Sequence, residues 1–194
     1  DYEVVSDPLF GQITDTMTPQ GILGTARKPV YSFEDLIRAE DAFLLILEDI
    51  RDPGNLGTII RTAEGAGVTG VVLNRSCADI LQPKVVRSTM GSVFRVPYYE
   101  AEDFITYLKK LKTLGFKLYA AHLSGDLYDK EGGFEGKIGL LIGNEANGLS
   151  EEASRMADKL IRIPMAGKVE SLNAAIAAAI LMYEAARQRR KKTD

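Results

Sequence analysis

The chain contains 194 residues, of which 45% are hydrophobic and 26% are charged, and its formal net charge is −3. This is the composition of a globular protein with enough residues to bury one core. One cysteine and one histidine exclude an internal disulfide and give no zinc-type cluster. No apolar run approaches the length of a membrane span and no leader opens the chain, so we expect a cytoplasmic protein without a membrane segment or a metal.

Residues 1–40 are rich in turn-forming residues and show no long period. We interpret them as the end of an upstream domain plus a linker, and the first residue, Asp1, suggests a piece of a longer chain. Ser32 precedes Asp35 by three residues, which is the spacing of a capping box and predicts a short helix at 32–41. The regular pattern that follows assigns residues 41–194 to one domain.

Apolar runs then alternate with segments of helical period. Strands are predicted at 42–49, 70–74, 94–100, 116–122, 136–145 and 159–165. Helices are predicted at 56–64, 82–93, 101–115, 150–158 and 170–192. This alternation indicates an α/β fold with a mainly parallel sheet and helices on both of its faces.

Gly65, Gly67 and Gly70 have the G-x-G-x-x-G spacing of a dinucleotide-binding turn. In that turn the glycines follow a strand and open a helix, whose N-terminus faces the pyrophosphate. Here the predicted helix comes before the glycines and the predicted strand comes after them. The order of elements therefore excludes an NAD site at this position.

Three other segments carry polar residues just after a predicted strand. They are EDIRDPGNLGTIIRTAEGAG with Asn55 and Arg61, LLIGNEANGLS with Glu145 and Asn147, and IRIPMAGKVESLN with Ser171 and Asn173. The carboxyl ends of parallel strands meet at one edge of a sheet, where ligands bind. The structural alternatives are a surface arginine, a plain turn and simple helix capping, respectively.

Details of these segments give further expectations. Asn55 and Arg61 lie six residues apart, nearly two helical turns, so we expect them to share one side of a helix. Ser171 and Asn173 are expected in the first turn of the last helix, where backbone donors are free. We expect a valine at Gly143 to fill the space of a ligand.

Taken together, the motifs N-x-G-x-x-x-R, G-x-E-x-x-G-L-S and I-P-M-x-G-x-x-E-S-L-N closely resemble those of the SpoU/TrmH branch of the SPOUT RNA methyltransferases. The likeness covers roughly residues 42–190. It implies a fold with a C-terminal trefoil knot that holds S-adenosyl-L-methionine, and an L30e-like domain upstream of residue 41. The cofactor contacts implied are Ala121, Gly143, Asn144, Ile163, Met165 and Leu172.

The resemblance also implies the reaction, which is methyl transfer from S-adenosylmethionine to a ribose 2′-hydroxyl of structured RNA, with ribosomal RNA favoured. The residues at the hydroxyl would be Asn55, Arg61, Glu145, Ser171 and Asn173, with no metal. A guanidinium does not lose its proton in proteins, so we prefer Arg61 as a clamp on phosphate and oxyanion rather than a base. The segment YAAHLSG at 119–125 is expected to form another wall of the site, and His122 within it has no role in these motifs. The alternatives are a transfer RNA substrate and a catalytically silent RNA-binding module.

Two expectations concern partners. The last helix is apolar on more than one face, which predicts a homodimer, and the family resemblance agrees. The net negative charge leaves few cations for RNA. The candidates are Arg51, Arg61, Arg75, Lys84, Arg87 and the segment RQRRKK at 187–192, for which a solvated helix end is the alternative.

Overall fold

The computed structural model describes residues 2–129 and 133–190. The chain divides into two compact units, Asp1–Val30 and Tyr31–Asp194. In the first unit, helix α1 spans Asp7–Ile13 and buries none of its side chains. No regular element is predicted from the sequence in this segment. The helix begins where Pro8 fixes a helical backbone angle and Asp7 complements the positive helix end.

The second unit is built on one six-stranded sheet in which every neighbouring pair is parallel. The strands are β1 (Phe43–Leu47), β2 (Gly70–Asn74), β3 (Tyr98–Ala101), β4 (Lys117–Leu127), β5 (Ile138–Ile142) and β6 (Lys159–Arg162). Their order across the sheet is β3-β2-β1-β5-β4-β6. The central strands β1 and β5 are buried along their whole length, as their continuous apolar runs predicted.

Six helices of this unit connect or follow the strands. They are α2 (Phe33–Ile37), α3 (Pro53–Gly65), α4 (Pro83–Ser88), α5 (Phe104–Thr113), α6 (Glu151–Met156) and α7 (Ala174–Arg190), and a 3-10 turn spans Ser92–Phe94. The predicted capping box of α2 is confirmed, because Ser32 and Asp35 exchange both hydrogen bonds. None of the described helices is long and apolar enough to cross a membrane.

Two apolar layers lie on opposite faces of the sheet, which confirms the predicted three-layer arrangement. Alternate strand residues point to opposite faces, so Leu45 packs in one layer and Leu44 in the other. Helices α3 and α7 cover the first layer with residues such as Ile60 and Met182. Helices α2 and α5 cover the second, as Leu108 shows.

The glycine-rich segment after α3 has the predicted order of helix, turn and strand. Gly65 ends α3, Gly67 adopts a left-handed φ of 76°, and Gly70 begins β2. A Cβ at Gly70 would lie 2.5 Å from Cγ of Leu36, so glycine is required there for helix α2 to pack. These glycines therefore serve a turn and a close packing contact.

The strand order places two loops side by side at the carboxyl edge. From β1 the chain proceeds outward through β2 and β3, and it then crosses to the other side of β1 for β4, β5 and β6. The loops that follow β1 and β5 are therefore neighbours at the point where the order reverses. In open α/β sheets this point is where ligands bind.

Candidate active site

A cavity of about 370 Å³ opens at the carboxyl edge of the sheet. Its wall is formed by the ends of β4, β5 and β6, the loops that follow β5 and β6, and the start of α7. The wall includes all six predicted cofactor contacts, which are Ala121, Gly143, Asn144, Ile163, Met165 and Leu172. The volume lies in the range of small-molecule sites.

The loop after β5 folds back on itself at the cavity. Asn144 and Gly148 form two backbone hydrogen bonds of 3.0 and 2.9 Å, and Gly148 has a left-handed φ of 68°. A Cβ at Gly143 would lie 2.3 Å from the carbonyl carbon of Gly148 and 2.4 Å from the nitrogen of Leu149. A valine at Gly143 would therefore collide with the loop itself before it could fill the space of a ligand.

Three predicted polar residues form one hydrogen-bonded chain. The Asn55 side chain donates from Nδ2 to Oε1 of Glu145 at 2.5 Å. Its Oδ1 accepts from Nδ2 of Asn173 at 3.0 Å. Asn55 is in the first turn of α3, Glu145 in the loop after β5, and Asn173 just before α7, so this chain joins all three sequence motifs.

The last helix begins later than predicted. Helix α7 starts at Ala174, and Oδ1 of Asn173 accepts from the backbone nitrogens of Ala175 and Ile176 at 2.9 and 3.3 Å. Placing Ser171 and Asn173 in the first turn was therefore wrong. Asn173 caps the helix from outside, which satisfies donors that the first turn leaves free. Ser171 lies in the preceding loop and lines the cavity.

Arg61 is not part of this chain of hydrogen bonds. The expectation that it shares a side of α3 with Asn55 was wrong. Six residues advance the helix by about 600°, which leaves the two side chains about 120° apart. Gly57 and Glu64, on the same side as Arg61, face α4 and the 3-10 turn. Arg61 is exposed and has no hydrogen bond or ion pair within residues 2–129 and 133–190.

One wall of the cavity comes from an irregularity in β4. Its pairing with β6 slips between Ala121 and Asp126, both of which pair with Ile161, so residues 122–125 bulge out. A Cβ at Gly125 would lie 2.5 Å from the backbone of Ile161, so this close approach requires glycine. The bulge places His122 on the cavity, with its Nδ1 2.8 Å from Oγ of Ser124.

Some residues of the wall carry no role predicted from the sequence. Glu170 and Arg162 line the cavity without having been assigned a role. Leu123 also lines it, within the segment 119–125 that was expected to form a wall, and is 68% exposed. The bulge carries no sequence signal apart from Gly125. Glu170 precedes Ser171 within the third motif, and its carboxylate type could have indicated a group facing a cation.

The residues of the cavity fit S-adenosylmethionine. Apolar side chains such as Ile142, Ile161 and Leu181 offer surface to an adenine ring, and the folded-back loop exposes backbone groups. Glu145 and Glu170 also line the cavity, and their carboxylates would complement the positive sulfonium and amino groups of the cofactor. Among the described residues, no group of three or more His, Cys, Asp or Glu side chains could hold a metal ion.

The thiol of Cys77 is not a reactive group in this structure. Burial raises its pKa to about 11, which keeps it protonated at neutral pH. Its Sγ lies 3.3 Å from Oδ1 of Asn74 and 3.6 Å from the carbonyl oxygen of Leu47. Cys77 is a half-buried packing residue.

The basic segment at the end of the chain is partly structural. Arg187 pairs with Glu184, and Arg189 donates to the backbone carbonyls of Phe134, Gly136 and Asp41. Arg189 therefore fixes the end of α7 to the body of the unit and is not available for RNA. Residues 191 and 192 of the predicted segment lie outside the described residues.

Comparison with known proteins connects this site to a family. Residues 42–183 match the SpoU rRNA Methylase family. The chain is 36% identical over 180 residues to "23S rRNA (guanosine(2553)-2'-O)-methyltransferase RlmP" of Bacillus subtilis, covering 93% of this chain and 70% of that protein. It is 35% identical to RlmB of Xanthomonas axonopodis pv. citri, a 23S rRNA (guanosine-2'-O-)-methyltransferase, covering 76% of this chain and 59% of that one.

A solved structure agrees with the sequence relatives. The AdoMet-bound rRNA methyltransferase from Sinorhizobium meliloti superposes with a TM-score of 0.85 at 38% identity, covering 94% of this chain and 70% of that one. The chain spans about two thirds of the length of several curated relatives that it matches. Sequence, fold and site agree, and the chain belongs to the SpoU rRNA methylase family.

Proposed function

We propose that this chain is the catalytic domain of an S-adenosylmethionine-dependent methyltransferase that modifies a ribose 2′-hydroxyl of ribosomal RNA. The observation that carries the proposal is the hydrogen-bonded chain Asn173–Asn55–Glu145 beside the cavity. It joins the three sequence motifs, and two relatives of this chain are named as 2′-O-methyltransferases of 23S rRNA. The cofactor supplies an activated methyl group on a sulfonium.

The chain's own residues bind that cofactor and orient the nucleophile. Gly143, Asn144 and Leu172 would hold it in the cavity, and Met165 and Ile163 would contact its apolar parts. Glu145 has a fixed direction because Asn55 donates to it. The hydroxyl of Ser171 lies in the same wall and can bond to the ribose. Fixing the nucleophile in line with the methyl carbon is a large contribution that such a site can make.

Arg61 is the residue proposed to act on the RNA itself. Its exposed guanidinium has two parallel N–H groups that match a phosphate, and its charge would stabilise an oxyanion developing on the ribose. Because one chain does not bring Arg61 into the wall of the cavity, this role requires that RNA or a second subunit bridge the gap.

The test is transfer of tritium from labelled S-adenosylmethionine to RNA, followed by mapping of 2′-O-methyl positions by mass spectrometry. We expect methylated ribosomal RNA with the longer protein that carries an upstream domain, and methylated transfer RNA alone would favour the alternative substrate. Binding of cofactor without any transfer would favour the silent RNA-binding module.

Substitution of Arg61 separates its two possible roles. We expect Arg61→Ala to bind S-adenosylhomocysteine normally and to lose most turnover, and Arg61→Lys to fail as well, because lysine lacks the planar fork. Near-normal turnover of Arg61→Lys would contradict the bidentate role. A base would instead give a pH–rate profile whose rise disappears in Arg61→Ala.

We also propose that the chain forms a homodimer. Helix α7 exposes Ile176 and Tyr183, which are seven residues apart and therefore lie on one side of the helix. The cavity contacts of this helix come from Ala174, Ala177 and Leu181. The exposed side is thus free to contact a second copy while the other side closes the site.

A further inference from the structure

The carboxyl end of β2 holds the loop after β1 through the side-chain carboxamide of Asn74. Oδ1 of Asn74 accepts from the backbone nitrogen of Asp49 at 3.0 Å, and Nδ2 of Asn74 donates to Oδ1 of Asp49 at 2.8 Å. Both Asn74 and Asp49 are half-buried. The hydrogen bond from Asn74 is also the main reason that the pKa of Asp49 lies below its usual range. Asp49 is thus gripped at its backbone and at its side chain.

This grip acts on a residue in an unfavourable backbone conformation. Asp49 has a φ of 59°, in the left-handed region, where a side chain crowds the backbone and glycine is favoured. Both hydrogen bonds between Asn74 and Asp49 are formed while Asp49 has this conformation. Loss of Asn74 would let the turn relax toward an extended or right-handed conformation.

The direction of the Asp49 carbonyl matters to the cofactor loop. Its oxygen accepts from Nδ2 of Asn144 at 2.9 Å. Oδ1 of Asn144 in turn accepts from the nitrogens of Ala146 and Asn147 at 2.9 and 3.2 Å. Glu145 lies inside this turn, so the position of its carboxylate depends on Asn144.

The other end of the same loop is held by the residue before Asp49. The carboxylate of Glu48 accepts from the backbone nitrogen and from Oγ of Ser150, each at 2.8 Å. Two successive residues after β1 therefore anchor the start and the end of the loop after β5. Only the Asp49 anchor has a strained backbone, and only that anchor is supported by Asn74.

We propose that Asn74 is a positioning residue for the cofactor loop, acting through the left-handed turn at Asp49 and the Asn144 side chain. The proposal rests on the proposed function, because it gives the loop at 143–149 its task of holding S-adenosylmethionine. Asn74 lies outside the three motifs and does not line the cavity.

The experiment measures S-adenosylhomocysteine affinity of the 194-residue chain by calorimetry, together with the melting temperature. We expect Asn74→Ala to weaken binding about tenfold, as for the loss of two hydrogen bonds. The matched control is Thr69→Ala. Oγ1 of Thr69 accepts from the backbone nitrogen of Phe43 and donates to its carbonyl oxygen, each at 3.0 Å. This contact links β1 and β2 at their amino ends, away from the cavity. We expect this control to lower the melting temperature comparably and to keep the wild-type affinity.

A second variant tests the mechanism of the effect. In Asp49→Gly/Asn74→Ala, glycine adopts the left-handed turn without support, so we expect most of the lost affinity to return even if the melting temperature stays low. Equal affinity of Asn74→Ala and wild type, or no recovery in the double variant, would overturn the proposal. Failure of the wild-type chain to bind S-adenosylhomocysteine would instead contradict the proposed function.

Discussion

At the scale of single residues, the carboxamide of Asn55 is the centre of the site because it donates to Glu145 and accepts from Asn173. Asn55→Asp keeps the shape but replaces the donor by a second carboxylate, which repels Glu145. We expect turnover to fall at least about tenfold, from the lost bond and the repulsion. Calorimetry should show a smaller loss of affinity for S-adenosylhomocysteine than of turnover, because Asn55 itself does not line the cavity.

A compensating change checks this account of Asn55. In Asn55→Asp/Glu145→Gln the donor and the acceptor exchange sides, so the hydrogen bond can form again without two facing charges. We expect the double variant to be more active than Asn55→Asp, provided that the carboxylate of Glu145 acts mainly through orientation. A double variant as inactive as the Glu145→Gln single variant would show that the carboxylate itself is required.

Two glycines of the cofactor loop separate steric from conformational effects. Gly143→Ala places a Cβ 2.3 Å from backbone atoms of Gly148, so the loop must move. Gly148→Ala meets nothing within 4 Å, and its cost is the left-handed φ of 68°, about 1–2 kcal/mol. We expect Gly143→Ala to lose cofactor affinity more strongly than Gly148→Ala when both are titrated with S-adenosylhomocysteine. The reverse order would mean that the close approach is not what shapes the site.

The residue types of the site were predictable from sequence, but their arrangement was only partly so. The motifs identified Asn55, Glu145 and Asn173, and the structure connects them by hydrogen bonds that spacing cannot reveal. Arg61 was placed on the wrong side of α3 because six residues were taken as nearly two turns, although helical geometry leaves about 120° between them. Asn74 belongs to none of the sequence motifs, because its role depends on a contact with Asp49, 25 residues away in the chain.

At the scale of elements, Glu64 fastens α3 to the 3-10 turn. Its carboxylate accepts from Oγ of Ser92 at 2.5 Å and from the guanidinium of Arg95. These partners lower the pKa of Glu64 from 4.5 to about 2. A depressed folded-state pKa gives stability that is present above about pH 4.5 and is lost as pH falls toward 2.

The prediction for this contact concerns acid unfolding. Glu64→Gln should be less stable than wild type at neutral pH, and its stability should change less steeply between about pH 4.5 and 2. The two proteins should converge at the acid end. Chemical denaturation at a series of pH values measures this, and parallel curves for the two proteins would contradict the role of Glu64. Glu151→Gln is the matched control, since Glu151 pairs with Arg155 on the exposed side of α6.

Helix and strand types followed the sequence pattern well, whereas their ends depended on local backbone. The helix predicted at 82–93 stops at Ser88, because Met90 and Gly91 adopt left-handed φ values of 52° and 87°. Strand β4 runs to Leu127, five residues beyond the prediction, because its bulge lets pairing with β6 resume. Hydrophobic periodicity does not predict β-bulges, or left-handed backbone conformations at residues other than glycine.

At the scale of the whole molecule, buried apolar runs predicted a parallel sheet, but the strand order could not be read from them. The pairings of β1 with β5 and of β4 with β6 bring together residues far apart in the chain, which local pattern does not encode. The C-terminal knot and the two-domain division at residue 40 stay predictions.

The proposed dimer can be tested at the exposed side of α7. Ile176 is 53% exposed, and Ile176→Glu would place a charge at an apolar contact between two subunits. We expect light scattering to give twice the 21.2 kDa chain mass for wild type and a lower mass for the variant at micromolar concentration. Leu114→Glu, at the end of α5, is the control for added charge at an exposed leucine. A monomeric wild type would contradict the proposal.

The supply of positive charge limits RNA binding by this chain. Of the predicted phosphate contacts, Arg51 pairs with Asp49 and Arg75 with Glu102, which lowers their availability. Exposed Arg61, Lys84 and Arg87 have no side-chain partner within residues 2–129 and 133–190. About three phosphate contacts to single-stranded RNA from one copy, or about six from the proposed dimer, give a slope of log affinity against log salt of about −2 or about −4.

We therefore expect this chain to bind S-adenosylhomocysteine normally and to methylate RNA poorly. RNA is recognised mostly through the shape of loops and unpaired bases, which needs more than a few phosphate contacts. A longer protein with the proposed upstream RNA-binding domain should restore transfer and show a steeper salt slope. The measurement compares methyl transfer and filter binding of the two proteins over a salt series. Equal rates and equal site selection would show that the recognition elements already lie within these 194 residues.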